Sequence, residues 1–542
     1  MKEAIKLIKE KIPLPGAIGR VCPHPCEEAC RRQLVDDSIS IAWLKRFAMD
    51  TDFMGEDPFM PDIAEETGKR VAIIGGGPLG LSAAYFLRQL GHDITIYEAM
   101  PKLGGMLRYG IPEYRLPKEE LDMEIDLIER MGVDMITDTK IGVDVSFEAI
   151  RKEYDAVLLG IGAWVSTGVG CPGEDADGVI GGIDFLRKVV RNEHIDLGKK
   201  VAIVGGGNTA MDACRTAVRL GAEKVYNIYR RTVDEMPADR IEIEEAMEEG
   251  VIFKNLTNPL EILKDENGHA KQVVLQVMEL GEPDASGRRA PKPVEGKTET
   301  LDVDTIILAI GQAVDPTGFE GVELTRKKGI VYDKETFMTS LDGVFAGGDC
   351  GNDKISIAIE AIGDAKRATQ IIDSYLAGET VRYQKPYFVE RDDITEKTFE
   401  DRERECTPEM EQLSPEERMD NFTEVVAGYT QEQAMQEAKR CLECGCHDYF
   451  ECKLIDYANQ YSVEPARFAG DKNAIEFEDP HPFILREPNK CILCGLCVRI
   501  CDEVMGVGAL GLVKRGFDTV VKPSLEKPLR SQQADRFETN QQ

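Results

Sequence analysis

The spacing of apolar positions in this chain changes period twice in the same order. A short apolar run, Val71-Ala-Ile-Ile74, breaks at Gly75-Gly-Gly77-Pro78-Leu-Gly80 and gives way to helical spacing over Leu81 to Leu90. A strand, Asp93-Ile-Thr-Ile-Tyr97, follows and ends in Glu98. The order restarts with Val201-Ala-Ile-Val204, the turn Gly205-Gly-Gly207-Asn208-Thr209-Ala210, a helix from Met211 to Leu220 and a strand Lys224-Val-Tyr-Asn-Ile-Tyr229. Strand, glycine turn, helix, strand opens a βαβ unit, so the fold class is α/β with two Rossmann-like dinucleotide-binding domains. From Ile252 to Val303, short apolar runs alternate with turn residues (Asp265-Glu-Asn-Gly268, Pro283-Asp-Ala-Ser-Gly287), which predicts a β-meander. Thr305 to Gly311 reads as a buried strand, and Val344 to Asp349 brings a second acid to a glycine-lined strand end.

Composition narrows the class. The 542 residues predict three or four domains at roughly 100–200 residues each. Acidic residues outnumber basic ones 98 to 66, a net charge of -32, which works against nucleic acid and anionic membranes as partners. The N-terminus alternates charged and apolar residues, unlike a secretory signal, and no stretch approaches ~18 apolar residues. A cytoplasmic protein is expected, in which clustered cysteines are metal ligands rather than disulfides.

Eleven of the fifteen cysteines form three groups: Cys22/Cys26/Cys30, Cys441/Cys444/Cys446/Cys452 and Cys491/Cys494/Cys497/Cys501. The last has the C-x2-C-x2-C-x3-C spacing that wraps thiolates around an iron-sulfur cluster. The first two are irregular alone, but seven thiolates nearly supply the eight that two 4Fe-4S clusters need, so they are expected to meet in space. Four close thiolates also suit tetrahedral zinc, the alternative for the Cys441 group. Between the cysteine groups, the first glycine turn lets a pyrophosphate approach backbone N–H groups while Glu98 holds a ribose diol. A turn needed only for helix-sheet packing is the plainer reading. In the second turn Ala210 replaces the last glycine, and the next strand ends in Arg230-Arg231 rather than an acid. That pair matches a 2'-phosphate and favours NADPH over NADH, against the plainer reading of a solvated basic pair. The first domain lacks a C-x2-C or C-x4-C pair, which disfavours a disulfide reductase.

From Gly19 to about Ala377 the chain resembles the small subunit of NADPH-dependent glutamate synthase and its relatives. The resemblance rests on Gly19 to Cys30, both glycine turns, Gly104-Gly105-Met106-Leu107 through Pro117, Tyr229-Arg-Arg231 with Met236-Pro237, and Val344 to Asp349. It implies FAD in the first domain, bound by Gly75, Gly77, Pro78, Gly80, Glu98, Gly105, Met106, Leu107, Gly348 and Asp349. It implies NADPH in the second, bound by Gly205, Gly207, Asn208, Thr209, Ala210, Arg230 and Arg231. Asn489 to Glu503 with Gly506-Val-Gly508 is similar to the ferredoxin-like segment of iron-only hydrogenases, formate dehydrogenases and the large iron-sulfur subunit of complex I. Two or three clusters are expected in all.

The expected organisation is an iron-sulfur helical segment (1–50), an FAD domain (69–198 and 304–380) with an NADP domain inserted (199–303), a connector crossing the surface (386–436), a cysteine-rich segment (437–475) and a ferredoxin-like segment (476–530). The expected activity is that of an electron-transfer flavoprotein subunit moving electrons between NADPH, FAD and 4Fe-4S clusters, to or from a redox partner such as ferredoxin or a hydrogenase- or formate dehydrogenase-type subunit. It would use no catalytic side chain and would work within a hetero-oligomer. The alternatives are a glutamate synthase small subunit feeding a glutamine-hydrolysing partner, and a non-catalytic wiring subunit.

Overall fold

A computed structural model describes residues 2–283, 287–351, 356–379, 381–387, 394–445, 452–464, 467, 484 and 486–523. The chain divides into a larger unit, residues 1–385 with 391–449, and a smaller one, residues 386–390 with 450–542.

Two five-stranded parallel sheets organise the larger unit. The first runs in the order Val344–Ala346, Ala156–Leu159, Arg70–Ile74, Asp93–Tyr97, Asp134–Ile136. The second runs Val179–Gly181, Thr305–Leu308, Lys200–Val204, Lys224–Tyr229, Ile252–Asn255. Central strands such as Arg70–Ile74 and Lys200–Val204 are buried along all but their first residue, which is why they read as continuous apolar runs. Val201 and Ile203 pack with Met211, Cys214 and Ala217 on the helical face of the second sheet. Ala202 and Val204 pack with Val273 and Leu275 on the other.

The strand Val344–Ala346 joins the first sheet only after the whole second sheet, so the second domain is inserted in the first. The insertion is wider than expected. Val179–Gly181, placed by the sequence in the 69–198 part, and Thr305–Leu308, placed at the start of the 304–380 part, both pair in the second sheet. A four-residue apolar run carries no mark of the sheet it joins; its partner decides. Val165–Ser166 and Gln312–Ala313 pair as an antiparallel ribbon where the chain crosses between the domains.

The β-meander is a three-stranded antiparallel sheet, Thr257–Lys264, Ala270–Pro283 and Arg289–Asp302. Its first expected residues, Ile252–Asn255, instead form the parallel edge of the second domain. Leu256, at φ 53°, turns the chain from one sheet to the other, and its N–H donates to the Arg231 carbonyl at 3.0 Å.

The connector does not simply cross the surface. Arg418, Val425, Tyr429 and Ala434 are buried. Arg418 reaches Glu249 at 3.1 Å and Glu245 at 3.5 Å, so the polarity that marks a solvated segment is here spent on buried ion pairs.

In the smaller unit, Leu510–Val513 and Val520–Pro523 form an antiparallel pair, and Leu496–Arg499 continues into a π-helical turn, Ile500–Val504. Among the described residues no helix is long and apolar enough to cross a membrane.

Candidate functional site

Gly80 lies where a Cβ would stand 1.9 Å from the Gly75 carbonyl oxygen, so close approach of helix Pro78–Gln89 to the strand end requires glycine. Pro78 sits in the first helical turn, where its missing N–H costs nothing, and Gly77 is the extended residue before it. A second loop lies on this turn: the Gly104 N–H donates to the Gly76 carbonyl at 2.8 Å. Gly105, at φ 52°, would put a Cβ 2.6 Å from the Gly77 Cα. Met106 follows half-buried and Leu107 buried.

The Glu98 carboxylate closes the same arrangement. It is buried, its Oε2 accepts from the Gly76 N–H at 2.7 Å and its Oε1 from the Met100 N–H at 2.8 Å. Burial raises its pKa against the pull of these amides. Each oxygen keeps acceptor capacity for a ribose hydroxyl. Gly347 and Gly348 rest against Leu79 of the same helix, so Asp349 is carried to this end of the sheet. It is half-buried, accepts from the Ser356 N–H at 2.9 Å, and burial raises its pKa. The expected FAD residues thus converge on one strand-end cradle.

A cavity of about 610 Å³ opens at the corresponding end of the second sheet, lined by Gly205 to Gly207, Thr209, Tyr229, Arg230 and Arg231 among others. Nothing lies within 4 Å of a Cβ placed on Gly207, which leaves room for a phosphate against the start of helix Asn208–Arg219. Asn208 faces away from that space: its Oδ1 accepts from the Asp239 N–H at 2.8 Å, and the Ala238 N–H donates to the Gly206 carbonyl at 3.1 Å. Ala210 is buried; unlike position 80, this turn accepts a methyl.

The arginine pair is divided. Arg230 is exposed and has no polar partner among the described residues. Arg231 is buried, its Nε donating to the Arg289 carbonyl at 2.7 Å. Arg288 and Asn258, which the sequence did not single out, line the same cavity, as does Pro237, which the sequence marked only as part of the resemblance. The only signal was a basic Arg288-Arg289 turn inside a strongly acidic chain.

The three cysteine groups share a backbone signature. The residue two positions after the leading cysteine is left-handed in each: His24 at φ 56° after Cys22, Glu443 at φ 49° after Cys441, Leu493 at φ 58° after Cys491. Such conformations are uncommon for non-glycine residues and cluster at functional loops. In the last two, that residue's N–H donates to the leading sulfur, at 3.5 Å for Cys441 and 3.4 Å for Cys491; the Cys501 sulfur accepts from Ala509 at 3.1 Å. N–H···S bonds of this kind surround cluster thiolates.

Cys22 is buried, Cys30 half-buried, and Cys26, Cys441 and Cys444 exposed. Arg32 donates to the carbonyl of Arg440 at 2.8 Å, fixing the residue before Cys441 two positions from Cys30 along the N-terminal segment. Cys452 belongs to the smaller unit and Cys446 lies outside the described residues. Among the described residues no three ligand-type side chains stand together in a metal-holding group.

Two dinucleotide cradles flanked by shaped cysteine loops define an iron-sulfur flavoprotein of the pyridine-nucleotide class. Residues 69–365 match the family described as pyridine nucleotide-disulphide oxidoreductase, and the chain belongs to it. Residues 1–56 match dihydropyrimidine dehydrogenase domain II, 4Fe-4S cluster, and residues 481–535 match the ferredoxin-like domain of NADH-quinone oxidoreductase subunit 3. The chain is similar to the NADPH-Fe(3+) oxidoreductase subunit beta of Geobacter sulfurreducens, with 40% identity over 82% of this chain and 71% of that one. It is similar to the NADP(+)-dependent formate dehydrogenase subunit beta of Moorella thermoacetica, with 40% identity over 82% and 67%. To the glutamate synthase [NADPH] small chain of Escherichia coli it is 36% identical over 69% and 83%. It is an FAD-dependent NADPH oxidoreductase that carries 4Fe-4S clusters, an electron-transfer protein.

Proposed function

We propose that the chain is the NADPH-handling subunit of a hetero-oligomer and exchanges electrons with a partner redox protein. The observation that carries this is the open cavity at Gly207 with an arginine on its wall, Arg230, that has no polar partner among the described residues. Gly205, Gly207 and Thr209 offer the helix start to a pyrophosphate, and Arg230 offers a fixed charge to a 2'-phosphate. Gly75, Gly77 and Gly80 leave backbone room for the FAD pyrophosphate, Glu98 accepts its ribose hydroxyls, and Gly105 to Leu107, Gly348 and Asp349 complete the cradle. FAD, when bound there, supplies the change from two-electron hydride chemistry to single-electron transfer.

Cys22, Cys26, Cys30, Cys441 and Cys444 act as cluster ligands in the larger unit, and Cys491, Cys494, Cys497 and Cys501 in the smaller. The ferredoxin-like match at 481–535 and the likeness to a formate dehydrogenase beta subunit favour a ferredoxin-, hydrogenase- or formate dehydrogenase-type partner over a glutamine-hydrolysing one. Residues 481–535 have no evident task in glutamate synthesis. The test is anaerobic reduction by NADPH and, separately, NADH, with low-temperature EPR quantified against iron and flavin. Fast reduction by NADPH with two or three cubane signals supports the reading; zinc in place of iron, or no reduction, overturns it.

A further inference from the structure

The geometry points to Arg288, on the hairpin of the inserted antiparallel sheet, as a specificity-determining residue that joins Arg230 in reading the 2'-phosphate, with Arg231 positioning the hairpin rather than touching the ligand. This rests on the cavity at Gly207 being the NADPH site.

Three arginines line that cavity, and they come from two places: Arg230 and Arg231 from the end of the parallel strand Lys224–Tyr229, Arg288 from the residue just before the strand Arg289–Asp302. The two places are stitched together at Arg231. Its carbonyl accepts from the Leu256 N–H at 3.0 Å, and its Nε donates to the Arg289 carbonyl at 2.7 Å. Leu256 in turn accepts at its carbonyl from the Met278 N–H at 2.7 Å, tying in the middle strand of the antiparallel sheet. Arg231 is only 4% exposed and turned toward the hairpin, whereas Arg230 is exposed and Arg288 half-exposed on the cavity wall. A phosphate dianion with two or three strong acceptor oxygens is satisfied better by two forks from different walls than by one, and in a chain of net charge -32 such a pair is a local exception.

The test is calorimetric binding of 2',5'-ADP and of 5'-ADP to the flavin- and cluster-loaded full chain, in the wild type and in Arg230→Ala, Arg231→Ala, Arg288→Ala and the Arg231→Ala/Arg288→Ala double variant. Arg288→Ala should weaken 2',5'-ADP roughly tenfold or more, the worth of a charged hydrogen bond, and leave 5'-ADP unchanged. Arg231→Ala should weaken 2',5'-ADP in the wild-type background and have little further effect once Arg288 is gone. If Arg230→Ala weakens 2',5'-ADP and Arg288→Ala does not, the role of Arg288 falls and the cavity stands as the NADPH site. Additive losses at Arg231 and Arg288 overturn the positioning role by placing Arg231 on the phosphate. If neither Arg230→Ala nor Arg288→Ala changes 2',5'-ADP binding, the site itself is wrong and both readings fall.

Discussion

The guanidinium of Arg32 donates to the backbone carbonyl of Arg440 at 2.8 Å, across more than four hundred residues of sequence. Arg440 returns the contact by donating to Asp36 at 2.9 Å and to the Asp37 carbonyl at 2.7 Å, and Glu437 accepts from the Ser40 N–H at 2.8 Å. Cys30 and Cys441 flank this knot, so the first two cysteine groups are held by one buried polar network.

Replacing Arg440 with Met should therefore lower the iron bound in the larger unit and spare the Cys491 group. Iron per chain and the EPR signals assigned by a Cys494→Ala control check this; equal loss of all signals would show that the knot supports general stability instead.

Gly80→Ala forces a methyl toward a carbonyl oxygen 1.9 Å away, and the first cradle must open. Purified protein should carry far less flavin, read as the ratio of absorbance near 450 nm to protein. Ala210→Gly in the second cradle removes a methyl that fits, so it should cost about 1 kcal/mol of helix stability at most and leave flavin content unchanged.

Arg418→Met leaves Glu249 buried with Arg215 and Arg219 as its remaining cations. Breaking one arm of a buried ion network costs on the order of 3 kcal/mol. Apparent Tm should fall by several degrees, and the segment 394–430 should become the first site cut in limited proteolysis.

Glu124 is fully buried and accepts from the N–H groups of Gly16 at 2.7 Å and Ala17 at 2.9 Å. Burial pushes its carboxyl from 4.5 up to about 7. The folded chain then holds a proton between these values that the unfolded chain has released, so this group's contribution to stability falls as pH rises from 4.5 to 7, by about 3 kcal/mol over the window. Glu124→Gln keeps an acceptor and removes the titration. Its apparent Tm, relative to wild type, should rise steadily between pH 5 and 7; parallel curves would sink the assignment.

The two Rossmann openings were legible because each combines a buried strand, a glycine turn and a helix within thirty residues, and every part is set by local sterics. The wider insertion was not. Val179–Gly181 and Thr305–Leu308 are short apolar runs whose sheet is chosen by pairing with Lys200–Val204. At the site, Glu98 and Arg230 stand at strand ends that local grammar predicts, while Arg231 carries the right charge and turns elsewhere because the Arg289 carbonyl offers it a buried partner. The left-handed position two after each leading cysteine falls on His24, Glu443 and Leu493, side chains with nothing in common, so that regularity belongs to the backbone alone.

The late arrival of Val344–Ala346 sets an order of assembly. As the chain leaves the ribosome, Ala156–Leu159 presents a fully apolar open edge that waits for nearly two hundred further residues before its partner is made. The inserted sheet needs nothing beyond Leu308 to complete its five strands. It can close first, as a self-sufficient nucleus, and bring the two separated parts of the other domain together at its own neck. A chain stopped before Val344 would keep that nucleus and expose the unfinished edge to its neighbours, which makes aggregation, rather than loss of a single activity, the expected fate of such fragments.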